Sequence, residues 1–571
     1  MAEAVPARGW SARVSDAWGR LVRDDPDRVA ALTSAAGRAN PARWRWAGVA
    51  ASLALAAASW GAGARLELNR HVLWPGVAWW RDAGGSPLLA SVAVLAMLGF
   101  VVAWWRLRWA RVTVGWWQTT AALWFAPLVA SVPLYSRDQY SYAAQGLLWS
   151  EGLSPYDHTV RELDSDWRLS TAPTWLDTPT PYGPVWLLLA RGVASVSGGH
   201  LWVALLLLRL LAVVGVVVIA WAVPDLARRL GTDPARASWL AVACPLVGVH
   251  FVSGAHNDAL MVAAVLGGLA LALRGRFVTA AVVVALGAMV KVTAVVALPF
   301  LALLWARRVL RRSGRSGPLR WPGVVRAGAL TLLTAGVVMA AGGLLTRLGF
   351  AWLNPGATPG RNEQWTSLPT GVGIAVQAVG TVLGHDDWRA PAVDLARTVG
   401  LVVLAVLLVL VWLGAAKPAA PPGPTGRRAS GRRGSGRRAA SDDTSRTVRA
   451  LGWGLLAVVV LAPVFLPWYY LWVLPVLAVS LAPSWERAEK PLAVVATVVC
   501  FMTLPEGYSL GLSTTAVGVP LDLVALAVLL ALAWRAGRRV DPRLLDLSRP
   551  LVRRRPTPEP AGRPGAKPVS G

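Results

Sequence analysis

The chain has 571 residues, of which 55% are hydrophobic and only 15% are charged, and its mean hydropathy is +0.49. A soluble globular protein carries about 25% charged residues, so this composition excludes a soluble domain and indicates a protein that crosses the membrane many times. The formal net charge is +27, but the basic residues cluster in short loops between apolar stretches, which indicates membrane orientation rather than nucleic-acid binding.

Apolar stretches long enough to cross a bilayer, about 20 residues each, recur along nearly the whole chain. We therefore predict an all-α polytopic membrane protein with both termini in the cytoplasm. In chain order the fourteen predicted spans are 45–63, 86–105, 112–134, 200–222, 237–254, 257–274, 277–290, 292–306, 323–345, 392–414, 450–466, 468–483, 488–504 and 517–535.

The charges of the loops support this topology. Loop 307–320 holds six arginines and no acid, which places it in the cytoplasm. Loop 135–182 holds seven acids and three arginines, which places it outside. The topology also requires that the apolar segments 183–198 and 369–384 do not cross, so we predict that both lie along or dip into the outer leaflet as interfacial or re-entrant helices.

The rest of the chain divides around these spans. Residues 1–44 are polar and rich in arginine, which predicts a cytoplasmic segment rather than a cleavable signal peptide. Residues 45–535 form the predicted membrane domain, with a helical extracytoplasmic loop at 135–199. Segment 416–449 and the tail 536–571 are rich in Pro, Gly and Arg and are predicted to be disordered in the cytoplasm, where they could contact anionic lipid.

A carboxylate stands at the start of the outer loop. Asp138 closely follows a predicted span in the sequence SRDQYSYAAQGLLWSEGLSPYD and is flanked by Arg137 and Tyr140. A carboxylate there can accept a proton from a hydroxyl as a general base or bind a metal. The alternative is an ordinary acid of an interfacial loop.

Four more polar segments fall on the same predicted side. The tight polar turn in GAHNDALM could instead be only a helix cap, and the aromatic residues of PWYYLW could instead be an interfacial cluster. The candidate residues are Tyr182 in TPTPYGPVW, His256, Asn257 and Asp258 in GAHNDALM, Arg361 and Glu363 in loop 350–373, and Trp468, Tyr469 and Tyr470 in PWYYLW.

Two cations lie within the apolar part of the chain. Arg209 falls about halfway along its span, and Lys291 stands at the outer junction of two short spans. Ionisable residues in the membrane are costly and are functional candidates by default. Each could bind an anionic group such as a lipid phosphate, or it could form a salt bridge with a neighbouring acid.

The predicted outer face thus combines a carboxylate, aromatic residues suited to stacking on a sugar, and cations suited to a phosphate. The sequence has no glycine loop of the nucleotide-binding type, and no folded cytoplasmic domain is predicted. The two cysteines, Cys244 and Cys500, lie in apolar stretches and form no metal-ligand cluster. These features favour a sugar donor carried on a lipid phosphate over a nucleotide sugar.

Five motifs together carry a family resemblance. RDQYSYAAQGLLWSEGLSPYD, TPTPYGPVW, GAHNDALM, KVTAVVALPF and PWYYLW occur in this order within residues 40–535. In this the chain resembles the polyprenol-phosphate-mannose-dependent α-1,6-mannosyltransferases of actinobacteria, which are membrane glycosyltransferases of the GT-C fold. The resemblance implies a GT-C-like bundle in the plasma membrane with its active site on the extracytoplasmic face.

The resemblance also implies a mechanism. Asp138 would act as the catalytic base, and mannose would pass with inversion from polyprenyl phosphate mannose to a lipid-anchored mannan precursor. Lys291, Arg209 or Arg361 would stabilise the charge that develops on the phosphate. Arg137 stands where a second acid of a pair could be, so the sequence leaves open whether a divalent metal is needed.

Three alternatives remain at this stage. A related transferase could move another sugar, such as arabinofuranose, or form an α-1,2 link. A transporter or flippase of lipid-linked sugar would be expected to show internal repeats, and no clear repeat is visible. A scaffold for envelope assembly would leave the grouping of polar motifs on one face unexplained.

Overall fold

The protein is described here by a computed structural model. It describes residues 40–63, 86–313, 319–353, 363–385, 389–417, 432–481 and 485–537. Within these residues the chain is almost entirely helical, which confirms the predicted all-α membrane protein.

Nineteen α-helices and one small antiparallel hairpin form the described part of the fold. The hairpin pairs β1 (Thr503–Leu504) with β2 (Tyr508–Ser509). The helices are α1 (Pro41–Ala62), α2 (Ser86–Arg106), α3 (Val114–Val129), α4 (Asp138–Ser150), α5 (Pro173–Leu176), α6 (Pro184–Val196), α7 (Leu201–Leu230), α8 (Pro234–Ala241), α9 (Asp258–Leu273), α10 (Phe277–Ala288), α11 (Ala297–Arg312), α12 (Trp321–Thr346), α13 (Leu368–Val382), α14 (Arg389–Ala416), α15 (Arg432–Leu461), α16 (Tyr470–Ala478), α17 (Trp485–Cys500), α18 (Leu510–Ser513) and α19 (Thr515–Gly537).

Tighter and wider helical turns join these elements. A π-helix, Val247–Ser253, continues α8 toward α9, and its axis makes an angle of 111° with that of α9. The 3₁₀-helices are Val160–Glu162, Asp166–Ser170, Val292–Val296, Ala351–Leu353, Pro467–Tyr469 and Pro505–Gly507.

Each of the fourteen predicted spans coincides with a helix or a broken helix. Six described helical stretches are long and apolar enough to cross a membrane, and the bent pair formed by the π-helix and α9 would make a seventh. The count of fourteen therefore stays a prediction. The six are Pro87–Arg106, Leu201–Leu230, Val292–Arg312, Trp321–Thr346, Pro391–Ala416 and Asp443–Leu461.

The two apolar segments predicted not to cross form the short helices α6 and α13. At 1.5 Å per residue they are roughly 20 Å and 22 Å long, which is less than the ~30 Å hydrocarbon core of a bilayer. Helix α6 packs on α4 and α12, and α13 packs on α14 and α19. Their placement within one leaflet stays a prediction.

One segment differs from its prediction. Helix α15 begins at Arg432, so residues 432–449 are helical rather than disordered, while 418–431 lie outside the described residues. Contacts with the bundle explain the difference. Asp443 pairs with Arg307 of α11 at 2.6 Å, and the Ser445 hydroxyl donates to the Leu230 carbonyl at the end of α7.

The helices pack as two groups joined by α16. Helices α7, α9 and α10 lie side by side in the first group, and α13, α14 and α19 form the second with α15. Helix α16 contacts α7, α8 and α9 as well as α15. A chain segment from the C-terminal part is thereby inserted beside the start of α9.

Two glycines allow close backbone approaches near that point. A Cβ on Gly215 of α7 would lie 2.7 Å from the Ala259 backbone of α9. A Cβ on Gly183 would lie 2.3 Å from the Met289 carbonyl oxygen, which accepts hydrogen bonds from the Val185 and Trp186 backbone N–H groups. The end of the 135–182 loop is thus held against the segment that carries Lys291.

A buried ion cluster joins α17 to α8 and to the segment after α2. Glu489 of α17 is fully buried and accepts hydrogen bonds from Arg108, at 2.8 Å, and from Arg236 of α8. Because a buried carboxylate needs charged or hydrogen-bonding partners, this cluster fixes α17 against α8 and the segment after α2.

Candidate active site

Asp138 is the first residue of α4 and the centre of the polar cluster. Its carboxylate is 7% exposed, and its backbone N–H is capped by the Ser136 hydroxyl at 3.1 Å. Oδ1 accepts a hydrogen bond from the Trp175 indole N–H at 3.0 Å, and Oδ2 lies 3.4 Å from His256 Nδ1. The N-terminal position also places the carboxylate at the positive end of the helix dipole.

The surroundings of Asp138 keep it ionised. Burial alone would raise the pKa of this carboxyl, but the contacts with His256 and Trp175 and the positive charge of Lys291 lower it further. The net effect is a pKa below the ordinary value for aspartate. A buried carboxylate that stays deprotonated near neutral pH can accept a proton from a bound hydroxyl.

His256, Asn257 and Asp258 form the turn between the π-helix and α9. Its entry residue, Ala255, has a φ of +49°, which is a strained conformation for a residue with a side chain. The His256 backbone N–H donates to the His250 carbonyl at 3.2 Å. Strained turns and π-helices are frequent at functional sites, and this one places three polar side chains together in the protein interior.

The aromatic segment Pro467–Tyr469 covers the turn. The Trp468 indole stacks on the His256 imidazole with ring centroids 3.7 Å apart, and the Tyr469 ring stacks on Trp472 at 4.1 Å. Trp472 donates its indole N–H to Asp258 Oδ1 at 2.6 Å. These contacts fix the start of α16 against the start of α9.

Lys291 adds a cation to the same cluster. Its ammonium lies 2.8 Å from Asp258 Oδ1 and 4.5 Å from the centre of the Tyr469 ring. Burial alone would lower the pKa of this ammonium, but Asp258 and Tyr469 hold it above its ordinary value. Lys291 therefore remains charged, and the salt bridge named as an alternative from the sequence does form.

Aromatic rings line the remaining side. Tyr182 lies 5.9 Å from the Lys291 ammonium, and its ring meets the edge of Tyr142 at 5.3 Å. Tyr142 also packs against Trp186 at 5.0 Å, and Tyr182 lies 6.2 Å from Trp175. Such faces suit the apolar side of a sugar ring.

Several buried polar atoms in this cluster have no hydrogen-bond partner in the described structure. Buried polar atoms are rarely left unpaired unless water or a ligand meets them. The unpaired atoms are both side-chain atoms of the Asn257 amide, Nε2 of His256, Oδ2 of Asp258 and Nε1 of Trp468. Donors and acceptors that converge in one interior site can bind sugar hydroxyl groups.

The structure thus brings together most of the candidates named from the sequence, but not all of them. Arg137 precedes α4 and is half-buried. Glu363 lies near Arg397 of α14. Arg361 lies outside the described residues. The residues that do lie together are Asp138, Tyr182, His256, Asn257, Asp258, Lys291, Trp468 and Tyr469.

Arg209 has contacts that differ from the predicted phosphate contact. Its guanidinium donates to the carbonyls of Val129, Ser131 and Ser253 and to the Gln139 side chain, at 2.6 to 3.2 Å. Both terminal nitrogens therefore bind the protein itself. Arg209 joins the end of α3 and the end of the π-helix to the residue after Asp138, and the fully buried Tyr140 interacts electrostatically with it.

Sequence reasoning missed Trp175, Trp472 and Tyr142. Trp472 is three residues after Tyr469, a spacing that places two side chains on one helix face, so this spacing could have indicated it. Tyr142 likewise lies four residues after Asp138. Trp175 belongs to the four-residue helix α5, and no periodic signal marks it.

No group of three His, Cys, Asp or Glu side chains in the described part of the chain is placed to hold a metal ion. Asp138 and His256 form a pair, and the second acid of the cluster, Asp258, is engaged by Lys291 and Trp472.

Comparison with known proteins adds to this geometry. Residues 45–307 match the model of the α-(1→6)-mannopyranosyltransferase N-terminal domain, and residues 438–533 match that of the MptB C-terminal domain. The chain is 33% identical over 435 residues to α-(1→6)-mannopyranosyltransferase A of Mycobacterium tuberculosis, which covers 75% of this chain and 78% of that protein.

Two further relatives cover similar shares. A probable α-(1→6)-mannopyranosyltransferase of Mycolicibacterium smegmatis is 30% identical over 79% of this chain and 77% of its own. α-(1→6)-Mannopyranosyltransferase B of Corynebacterium glutamicum is 27% identical over 79% of this chain and 75% of its own. No solved structure is significantly similar to this one.

Proposed function

The chain belongs to the α-(1→6)-mannopyranosyltransferase family and is a membrane mannosyltransferase that forms α-1,6 links, and we propose that its donor is polyprenyl phosphate mannose. The acceptor is a lipid-anchored mannan precursor, and the reaction serves the synthesis of a lipomannan-type envelope glycolipid. The site works on the extracytoplasmic face of the plasma membrane, where the acidic loop 135–182 is expected.

One observation carries the proposal. Asp138 is a buried carboxylate with a lowered pKa beside an aromatic-lined group of unpaired polar atoms. A base in that setting can accept the proton of a sugar hydroxyl while aromatic faces hold the rings.

The proposed reaction is a single displacement. Asp138 takes the proton of the acceptor 6-hydroxyl as its oxygen attacks C1 of the donor mannose. The bond from C1 to the phosphate oxygen breaks, and the electron pair leaves with the polyprenyl phosphate. The new bond forms on the opposite face of the ring, so a β-linked donor yields an α-linked product.

Lys291 supports the leaving phosphate in this proposal. Its ammonium has three N–H donors, and Asp258 engages one of them, so two can bind phosphate oxygens. A cation placed where negative charge develops lowers the barrier of the reaction. Arg361 remains a candidate for the same phosphate, whereas Arg209 in this proposal positions the segment next to Asp138.

The test uses membranes that contain the full chain, with polyprenyl phosphate mannose as donor and a short α-1,6-mannoside as acceptor. Asp138→Asn keeps the size of the side chain but removes the base, so transfer should fall by at least about 100-fold. Asp164→Asn is the matched control, because Asp164 is an exposed acid of the same loop. Full activity of Asp138→Asn would contradict the mechanism.

A labelling experiment tests the face. Asp164→Cys should react with a membrane-impermeant maleimide on intact cells, whereas Arg320→Cys should react only after permeabilisation. Both positions are exposed, and the native Cys244 and Cys500 are buried. The reverse pattern would place the site on the cytoplasmic face.

A further inference from the structure

A second site lies at the other end of the bundle. Helix α10 runs from Phe277 to Ala288, about 18 Å along its axis, and Lys291 follows its C-terminal end. A cavity of about 260 Å³ opens at its N-terminal end, between α10 and the last turns of α11. One water needs only about 15 Å³ of such space, so the cavity can hold a molecular group.

Three arginines line this cavity. They are Arg276 at the start of α10 and Arg308 and Arg312 near the end of α11. None of the three forms an ion pair within the described part of the chain. Arg308 also has a buried Nε without a hydrogen-bond partner there.

The acids of the surrounding region are already engaged. Asp225 pairs with Arg229 at 3.0 Å and with Arg274 at 2.9 Å. Asp443 pairs with Arg307 and Arg446 in the same way. The positive charge of the three cavity arginines is therefore not neutralised by the described protein residues, and an anion from outside the protein can neutralise it.

The rest of the cavity suits a phosphate at a membrane surface. Residues Phe277 to Thr279 line it, and the first-turn N–H groups of a helix have no partner within the helix. The Phe277 and Trp305 rings stack at 5.3 Å with nearly parallel planes, and such aromatic residues favour the interface between hydrocarbon and water.

The guanidinium of Arg308 lies against the backbone of Gly275. This residue has a φ of +86°, and a Cβ there would lie 3.3 Å from a terminal nitrogen of Arg308. The tight turn between α9 and α10 thus leaves room for the arginine to lie across the cavity wall.

From these observations we propose that this cavity binds the phosphate group of an anionic phospholipid headgroup. The site is separate from the Asp138 cluster and lies at the end of the bundle that is expected to face the cytoplasm. Basic pockets between membrane helices on that side are known to bind anionic lipid headgroups. The same arginines would also accept free phosphate, and the test separates these two sources.

The test measures binding to the full chain in detergent by native mass spectrometry. The probes are dioctanoyl phosphatidylglycerol and inorganic phosphate. Arg308→Gln combined with Arg312→Gln should weaken binding of the phosphatidylglycerol about tenfold or more, because each arginine near a membrane surface contributes appreciably to anionic lipid binding. Inorganic phosphate should compete only weakly, because it lacks acyl chains.

The matched control is Arg320→Gln combined with Arg326→Gln. Both residues are exposed, lie near the same end of the bundle and do not line the cavity. This double variant removes two positive charges, the same number as the double variant of the cavity arginines. Equal weakening in both double variants, or none in either, would overturn the proposal. Inorganic phosphate that binds as tightly as the lipid would identify free phosphate as the ligand and overturn the lipid source.

A single variant controls for the possibility that the double variant of the cavity arginines folds poorly. Arg276 is exposed, so Arg276→Gln can be made without disturbing packing and should weaken lipid binding about threefold. Unchanged binding in Arg276→Gln, with the normal elution volume in size-exclusion chromatography, would contradict the proposed site.

Discussion

The indole of Trp468 stacks face to face on the imidazole of His256, with the two ring planes 20° apart. His256 Nδ1 in turn lies 3.4 Å from Asp138 Oδ2. Trp468 comes from the segment before α16 and Asp138 from the start of α4, so the histidine connects these two parts of the chain at the proposed base. The orientation of Asp138 thus depends on a residue more than 300 positions away in the chain.

This stack predicts the effect of changing Trp468. Trp468→Leu removes the flat surface that holds His256, and a small misplacement of a catalytic group can lower a rate about 100-fold. We expect kcat to fall by about 10- to 100-fold with a smaller change in KM. The measurement is the initial rate of mannosyl transfer in membranes.

Trp468→Phe is the matched control for this prediction. A phenyl ring can still stack on the imidazole, so its loss should be less than about tenfold. The stack has no positioning role if the leucine and phenylalanine variants lose the same activity.

The ion pair between Lys291 and Asp258 predicts that changes at the two residues have coupled effects on kcat/KM. Lys291→Gln removes the proposed phosphate cation, and Asp258→Asn removes its charged partner. We expect each single change to lower kcat/KM by about 100-fold or more, while the double variant loses much less than the product of the two, because residues in direct contact are not additive.

A double-mutant cycle on kcat/KM with polyprenyl phosphate mannose measures this coupling. Glu162→Gln is a suitable control, since Glu162 is an exposed acid that contacts His158 and Thr159 of its own loop. Strict additivity of the two changes would contradict the pairing as a functional unit.

The lowered pKa of Asp138 predicts a dependence on pH. A base works only when it is deprotonated, so its activity is lost as the pH falls through its pKa in the folded protein. Since this pKa lies below the ordinary value, kcat/KM should not decline through Asp138 between about pH 8 and about pH 5. The measurement is the pH–rate profile of mannosyl transfer in detergent. Its acidic limb is the fall in kcat/KM at low pH as the base becomes protonated.

A variant of His256 tests the direction in which this contact shifts the pKa of Asp138. His256→Gln removes the largest influence that lowers the pKa of Asp138, so the pKa should rise and the acidic limb should move to higher pH. Asp164→Asn should leave the limb in place. A limb that moves to lower pH in His256→Gln would contradict the proposed contact.

Much of the candidate site follows from topology. Asp138, His256, Lys291 and Trp468 each stand at a predicted outer turn or junction, and the loop charges place all of these turns on one side. Residues at the same ends of neighbouring helices lie close together in a bundle. The sequence therefore predicts the set of residues, although not the individual contacts.

The sequence does not predict where helices end within the bundle. Arg209 binds the carbonyls of Val129, the last residue of α3, of Ser131, just beyond it, and of Ser253, at the end of the π-helix. Hydropathy shows where apolar stretches lie but not where a helix breaks at depth and exposes its carbonyls. A cation in mid-span therefore predicts a buried partner without showing whether that partner is substrate or backbone.

The buried ion cluster around Glu489 predicts that a change at this residue lowers the stability of the protein without impairing the transfer reaction. The Glu489 side chain is fully buried and binds Arg108 and Arg236, far along the helices from Asp138. Glu489→Gln leaves two cations without a charged partner, and removing one member of a buried ion pair costs about 3 to 5 kcal/mol. We expect a lower Tm in detergent, measured by thermal aggregation, while the KM for the donor is unchanged at low temperature. Glu162→Gln, in an exposed pair with His158, should shift the Tm little, because exposed ion pairs contribute at most about 1 kcal/mol. An equal Tm for both variants would show that Glu489 does not hold α17 to α8.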